Sequence, residues 1–176
     1  MATTTRPQQD ASVHSEAHEP DLDEATAAAL RLWVIMSRAQ SAVTTQAAAH
    51  ASQYGLTLAE FGILEALYHR GPMLLGEVQK RILVSSGGIT FLVDRLTAKG
   101  LVERRSCDYD RRARYAALTP KGTELVAEVF PSHALVIARA MSGIGTDEQT
   151  DVANQLRTLG RAAAALPLPG GREQDK

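Results

Sequence analysis

Cysteine is nearly absent from this chain, which has a single one, Cys107, in 176 residues. One cysteine excludes an intramolecular disulfide framework and a thiolate zinc cluster, so we expect a reducing, cytoplasmic setting. No apolar run approaches the ~18 residues of a membrane span, and we find no secretory signal peptide. The sequence therefore predicts no membrane partner.

Catalytic signatures are missing as well. The chain has no GxSxG nucleophile elbow, phosphate loop, HExxH motif or paired carboxylate set, which argues against an enzyme and predicts no cofactor. His14 and His18 have the i, i+4 spacing of helical metal ligands, but they fall in a polar stretch without a second shell of partners. We therefore predict no metal site there.

Aromatic residues make up only 5% of the chain, whereas alanine is abundant. Since only two short strand candidates are present, the composition predicts a mainly α-helical domain with a small β-hairpin. The polar residues 1–21 and the residues 167–176 have little to bury and are expected to be disordered tails. One domain, 22–166, remains.

Helix signals recur along this domain. The Ala-rich stretch 22–54 is too apolar to stand alone, so it must pack on its own domain or pair with a second copy. Thr57 and Glu60 form a capping box that starts another helix, and residues 75–82 predict a short one.

Further helix signals follow the strand candidates. Thr119-Pro120 starts a helix in which Pro131 is expected to cause a kink or break. Thr146 with Gln149 has the spacing of a capping box for a last helix, which the proline at 167 ends.

Charge is distributed unevenly, although the net charge is only −1. Between Arg70 and Gly122, eleven Lys or Arg face five Asp or Glu, a net charge of +6, whereas residues 1–29 carry −5. A local basic patch of this kind is what contacts to phosphate require.

The residues after Ser86 have the pattern of an amphipathic helix. Ser85 or Ser86 can cap it and Gly100 can end it, and its apolar stripe is Ile89, Leu92, Val93 and Leu96. The predicted helix runs from about Ser86 to Lys99. The residues of its other face are Ser86, Gly87, Thr90, Asp94 and Arg95. Such a face suits a DNA major groove, and an ordinary surface helix is the alternative.

An arginine-rich hairpin follows this helix. Two strand-like runs, at 101–102 and 116–118, bracket five arginines: Arg104, Arg105, Arg111, Arg112 and Arg114. Such a tip fits a minor groove, and a solvated charged hairpin is the alternative. The order helix, helix, turn, recognition helix, hairpin is that of a winged helix-turn-helix.

Three segments, GLTLAEFGILEALYHRG, SSGGITFLVDRLTAKGLVERR and DRRARYAALTPKG, resemble the MarR family of winged-helix regulators. The likeness covers about 30–166, and its most specific part is the DRR wing motif followed by LTPKG. It implies a DNA-reading head, 55–122, between dimerisation helices, 22–54 and 123–166. It also implies a homodimer on a pseudo-palindromic double-stranded DNA operator, usually a repressor released by a small ligand.

The resemblance also assigns roles to residues by position. Arg112 falls on the wing arginine that enters the minor groove, and Asp110 on the acid that braces the wing. The positions that read or grip DNA are Ser85, Ser86, Gly87, Gly88, Thr90, Arg95, Arg104, Arg105, Arg111 and Arg112.

Within the family, LWVIMSRAQSAV, EFGILEALYHRG and ITFLVDRL resemble the quinone- and hydroquinone-responsive branch, which implies a phenolic or quinone-like effector. Gly62 and Leu92 replace the residues that face urate in another branch. Cys107 is either a thiol oxidation sensor, since nearby arginines favour its thiolate, or incidental. The implied pocket lining, for which plain packing is the alternative, is Trp33, Ser37, Phe61, Tyr68, His69 and His133.

Two rival functions stand beside a DNA-binding regulator. An enzyme would turn over a phenolic or quinone, and a winged helix used only for protein contacts would not be retained on heparin or duplex DNA.

Overall fold

The computed structural model describes residues 22–82, 86–106 and 114–168. The predicted tail 1–21 lies outside these residues. Residues 169–176 of the predicted tail 167–176 lie outside them as well. The chain divides into two compact units, Met1–Arg38 and Ala39–Lys176. The elements are α1 Glu24–Ser52, α2 Leu58–Arg70, β1 Met73–Leu74, α3 Leu75–Ile82, α4 Ser86–Ala98, β2 Val102–Ser106, β3 Arg114–Leu118, α5 Pro120–Ala140 and α6 Thr146–Ala164.

Helix α2 begins and ends where its local signals predict. The Thr57 backbone N–H donates to Glu60 Oε2 at 2.8 Å, and the Glu60 N–H donates to Thr57 Oγ1 at 3.2 Å. At the other end Gly71 adopts φ 76° and ψ −165°, a positive-φ conformation that glycine reaches without a Cβ clash. The capping box is confirmed.

The core of the second unit lies around α2. Its buried apolar side chains pack with those of the neighbouring helices and the sheet, and α2 contacts α3, α4, α5 and β3. Each fully buried side chain of this size contributes about 1.5–3 kcal/mol. The largest fully buried apolar side chains are those of Phe61, Ile63, Leu64, Val78, Val93, Leu96, Val102, Val126 and Val129.

The strands form an antiparallel sheet in the order β1-β3-β2, with Met73 opposite Ala116 and Val102 opposite Leu118. The predicted hairpin, β2 with β3, is confirmed. The third strand, β1, was not predicted, because two residues after a proline show no alternation. It covers the free edge of β3, whose Ala116 is fully buried.

Helix α5 starts at the predicted cap. Thr119 Oγ1 accepts from the Gly122 N–H at 3.0 Å and donates to the Gly100 carbonyl at 2.7 Å, which ties the helix start to the end of α4. Gly122 lies so close to β2 that a Cβ there would stand 2.1 Å from the Leu101 carbonyl oxygen. Only glycine fits this contact.

The sequence predicts a kink or a break at Pro131, and the break is wrong, since α5 runs without interruption from Pro120 to Ala140. Proline removes one backbone hydrogen bond. Burial of Val126 and Val129 before it and His133 after it keeps both halves on the core, and this packing outweighs the local defect.

Helix α6 is capped one residue earlier than predicted. Gly145, not Thr146, is the N-cap, and its N–H donates to Glu148 Oε2 at 2.7 Å. Gln149 Nε2 instead donates to the Met141 and Ile144 carbonyls, at 3.1 and 3.0 Å, and so satisfies the turn that follows α5. The cap forms at Gly145 because the Glu148 carboxylate reaches its N–H, and Gln149 takes no part in it because its amide is bound to the Met141 and Ile144 carbonyls.

Candidate nucleic-acid interface

The predicted recognition helix is α4, and its core stripe is confirmed. Ile89, Val93 and Leu96 are buried, and Leu92 is half-buried against them. The helix ends as predicted, with Gly100 at φ 70° and the Leu101 N–H donating to the Leu96 carbonyl at 3.0 Å.

The opposite face of α4 is exposed. Thr90, Asp94 and Arg95 lie on it as predicted, while Gly88 is half-buried. The described residues do not include Ser85, Cys107, Asp110, Arg111 or Arg112, and they do not extend to the surroundings of Ser86 and Gly87.

A buried carboxylate fixes the C-terminal half of α4. Glu60 is 0% exposed, and its Oε1 accepts from Lys99 Nζ at 2.9 Å and lies 3.3 Å from Arg95 Nε. Lys99 also donates to the Gly55 carbonyl at 2.8 Å. We call Glu60, Arg95 and Lys99 the Glu60 clamp.

The electrostatics of the Glu60 clamp favour the ionised carboxylate. Burial raises the pKa of Glu60, but the Thr57 N–H and the Lys99 ammonium outweigh burial and hold the pKa below its ordinary value. The clamp is thus a charged link from α2 to α4. Sequence reasoning assigned Glu60 only its capping role, because its cationic partners are more than thirty positions away.

The basic strand β2 carries its own carboxylate partners. Arg104 Nη2 lies 2.7 Å from Asp94 Oδ1, which joins β2 to α4, and Arg105 Nη2 lies 2.6 Å from Glu103 Oε1. All four side chains are about one third exposed or more, so each pair contributes only about 0–1 kcal/mol.

An exposed aromatic residue, Phe91, also belongs to this face and was missed from the sequence. Its side chain is 61% exposed, and the Arg95 guanidinium carbon lies 5.7 Å from the ring centroid. Helical periodicity could have indicated its exposure, because Phe91 falls outside the i, i+3, i+4, i+7 core stripe.

The candidate pocket residues fall into separate groups. Phe61 and His133 are buried with ring centroids 4.4 Å apart, and His133 Nδ1 lies 3.2 Å from Nδ1 of His50, which sequence reasoning missed. Tyr68 and His69 are exposed on α2, with ring centroids 5.3 Å apart. Trp33 and Ser37 belong to the other unit, where both are exposed.

Burial lowers the pKa of His133, and the neighbouring His50 lowers it further against an opposing effect of Glu65. The neutral imidazole is therefore favoured. Among the described residues, no group of three His, Cys, Asp or Glu could hold a metal ion, and no helix is long and apolar enough to cross a membrane.

Known proteins share this architecture and sequence. A model described as the MarR family matches residues 54–113. The HTH-type transcriptional regulator YkoM of Bacillus subtilis is 36% identical over 138 residues, which cover 78% of this chain and 90% of YkoM. The chain belongs to the MarR family. MhqR of Bacillus subtilis, also an HTH-type transcriptional regulator, is 35% identical over 77% of this chain and 93% of MhqR.

Solved structures agree with this MarR-family fold. AbsC, a MarR family regulator from Streptomyces coelicolor, matches with a TM-score of 0.72 and 22% identity over 82% of this chain and 98% of AbsC. BpsR of Bordetella bronchiseptica matches with a TM-score of 0.66 and 25% identity over 72% of this chain and 90% of BpsR. This MarR-family chain is accordingly a winged-helix, DNA-binding transcriptional regulator.

Proposed function

We propose that this regulator is a homodimeric repressor that binds a pseudo-palindromic operator and is released by a small phenolic or quinone-like effector. The placement of α4 supports the DNA-binding part best. Its core stripe is buried, the Glu60 clamp holds it to α2, and its outer face is exposed beside the basic strand β2. This is how a winged helix presents a recognition helix to a major groove.

The arginines of β2 are suited to exchange partners on binding. Arg104 and Arg105 pair with Asp94 and Glu103 in the DNA-free chain, and these exposed pairs are weak. Phosphate oxygens offer the same charge-assisted geometry, so the arginines can move to the DNA backbone at small cost. Arg111 and Arg112 would enter the minor groove at the wing tip, and Asp110 would brace that loop.

Exposed apolar stripes support the homodimer. On α6, Val152, Leu156 and Leu159 are each about 42–44% exposed at i, i+4, i+7 spacing. In the other unit, Leu30, Trp33 and Val34 are exposed at helical spacing. A second copy would cover such stripes through a two-fold interface. On a pseudo-palindromic operator we expect the two recognition helices about 34 Å apart, one turn of DNA.

Two observations support release by a small effector: a cleft beside the wing strand, and the regulation of a similar protein by a small molecule. A cleft of about 270 Å³ lies where α2 ends, lined by residues that include Tyr68 and the wing-strand Arg105. A phenolate there would meet a cation on the same strand that we expect to contact DNA, so binding and release would be coupled. In the similar BpsR, DNA binding is regulated by 6-hydroxynicotinic acid.

Selection of duplexes from a random pool, followed by mobility-shift titration, tests the proposal. Arg112→Ala should weaken binding by about 1–3 kcal/mol, whereas Arg157→Ala, which removes the same charge from α6, should not. Wild-type affinity should fall with salt at a log–log slope near −0.9 per neutralised phosphate. Unchanged affinity in Arg112→Ala or a flat salt dependence would contradict the proposal.

The effector is then tested on the selected complex. Phenolics and quinones are expected to release the duplex, and oxidants are the alternative trigger. If Cys107 mediates the response, Cys107→Ser keeps DNA binding and loses release by quinones; if the effector binds reversibly in the cleft, Cys107→Ser responds like wild type.

A further inference from the structure

Phe91 is the one large apolar side chain on the outer face of α4 in the part of the chain that the structure describes. It is 61% exposed, whereas Ile89, Val93 and Leu96 are buried in the core. Two residues on a helix are separated by about 200°, so Phe91 points away from both Ile89 and Val93. More than half of its side-chain surface is thus exposed to solvent.

The Phe91 ring is held by the Glu60 clamp. Arg95 lies one turn further along α4, with its guanidinium carbon 5.7 Å from the ring centroid and its Nε 3.3 Å from the buried Glu60 carboxylate. Because the carboxylate anchors the arginine, the arginine in turn limits the positions of the ring. The aromatic side chain is presented to solvent in a restricted position.

We infer that Phe91 reads the 5-methyl group of a thymine in the major groove, an inference that rests on the proposed function. Thymine presents a methyl group in that groove, and apolar side chains recognise it by direct contact. Contact between the ring and the methyl removes apolar surface of both from water, which makes the binding free energy more favourable for thymine than for cytosine, which lacks the methyl. Phe91 therefore determines specificity, while the surrounding arginines supply affinity.

The surroundings of Phe91 favour DNA over a protein partner. Its exposed neighbours on α4 are Thr90, Asp94 and Arg95, and the Arg104 that pairs with Asp94 adds a further positive charge. One ring among polar groups is far smaller than the apolar patches of several hundred Å² that mark protein docking sites. A single methyl-sized contact inside a basic surface matches a base edge instead.

Deoxyuridine substitution tests the inference directly. Duplexes are selected from a random pool with the wild-type chain, and each thymine of the selected site is replaced in turn by deoxyuridine, which lacks only the methyl. At one position in each half-site the wild type should bind about four-fold more weakly, the equivalent of ~0.8 kcal/mol per buried methyl. Phe91→Ala should bind both duplexes equally, and Leu168→Ala, which truncates an exposed leucine elsewhere, should behave like wild type.

A second variant, Phe91→Gln, is used in case Phe91→Ala does not bind DNA at all. Phe91→Gln keeps a long side chain without the ring, and sites selected with it should show no thymine preference at that position. Retention of the thymine preference in either variant would overturn the inference while leaving DNA binding intact. A wild-type chain that enriches no sequence would overturn the proposed function as well.

Discussion

Glutamine in place of Glu60 removes one buried negative charge and keeps the length of the side chain. Its amide oxygen can still accept the Thr57 N–H, which Glu60 Oε2 accepts at 2.8 Å. The amide nitrogen then takes the position of Oε1 and is itself a donor, so the hydrogen bond from Lys99 is lost together with the attraction to Arg95. Charge-assisted hydrogen bonds contribute about 1.5–3 kcal/mol, against about 1 kcal/mol for neutral ones.

The expected loss is smaller than that for a fully buried ion pair. Arg95 and Lys99 keep 42% and 31% of their side chains exposed, so both cations can return to water when the carboxylate is gone. We therefore expect Glu60→Gln to lower the free energy of unfolding by about 1–2 kcal/mol at neutral pH. For a chain of this size that corresponds to a decrease in Tm of about 2–8 °C.

The pH dependence distinguishes this electrostatic effect from a packing defect. The folded-state pKa of Glu60 lies below its ordinary value of 4.5, so the unfolded chain binds the proton first as the pH falls. The stabilisation is complete above that ordinary value and is lost as the pH falls through the folded-state pKa. The difference in stability between wild type and Glu60→Gln should therefore shrink in acid.

Urea unfolding followed by circular dichroism, at steps from about pH 7 to about pH 3.5, measures both effects. Glu124→Gln, an exposed site on α5, is the matched control and should change the unfolding free energy by less than about 0.5 kcal/mol. A Glu60→Gln variant as stable as wild type at pH 7 would refute the reasoning. So would a difference that stays constant down to the acid limit.

Three further predictions concern other parts of the chain. Gly122→Ala should cost about 3 kcal/mol or more in unfolding free energy, because its Cβ would overlap a backbone carbonyl, whereas Gly76→Ala at an exposed position of α3 should be neutral or stabilising in the same urea titration. Since burial, helped by the neighbouring imidazole, lowers the pKa of His133 below its ordinary 6.5, wild type should lose stability as the pH falls below that value. His133→Gln should reduce this slope, and an equal slope would contradict the assignment. Leu156→Glu should shift sedimentation toward the monomer, and an unchanged dimer would exclude α6 from the interface.

The sequence predicted the elements whose causes are local. The Thr57–Glu60 capping box, the Thr119-Pro120 helix start and the left-handed glycine after α4 each depend on groups within a few residues, and all were confirmed. The buried stripe of α4 was confirmed for the same reason, since helical periodicity alone separates the core face from the outer face.

Features that depend on distant residues could not be predicted in this way. Strand β1 exists only because Met73 pairs with Ala116, and two residues show no period of their own. Continuity through Pro131 depends on packing against the core, which a local rule for proline ignores. The His50–His133 contact joins residues 83 positions apart.

The same separation explains why the outer face of α4 was only partly predicted. Small polar residues and one arginine suggested DNA contact, but Arg95 has a second role that needed the fold, because its nitrogen lies beside a carboxylate buried in α2. That contact holds the arginine over Phe91, an exposed aromatic residue that lies outside the core stripe of α4. The position of the proposed DNA-contacting surface thus depends on Glu60, a residue that we do not expect to touch DNA. For this reason Glu60→Gln should weaken operator binding as well as stability, whereas Gly122→Ala should affect binding only in proportion to the fraction of chain that unfolds.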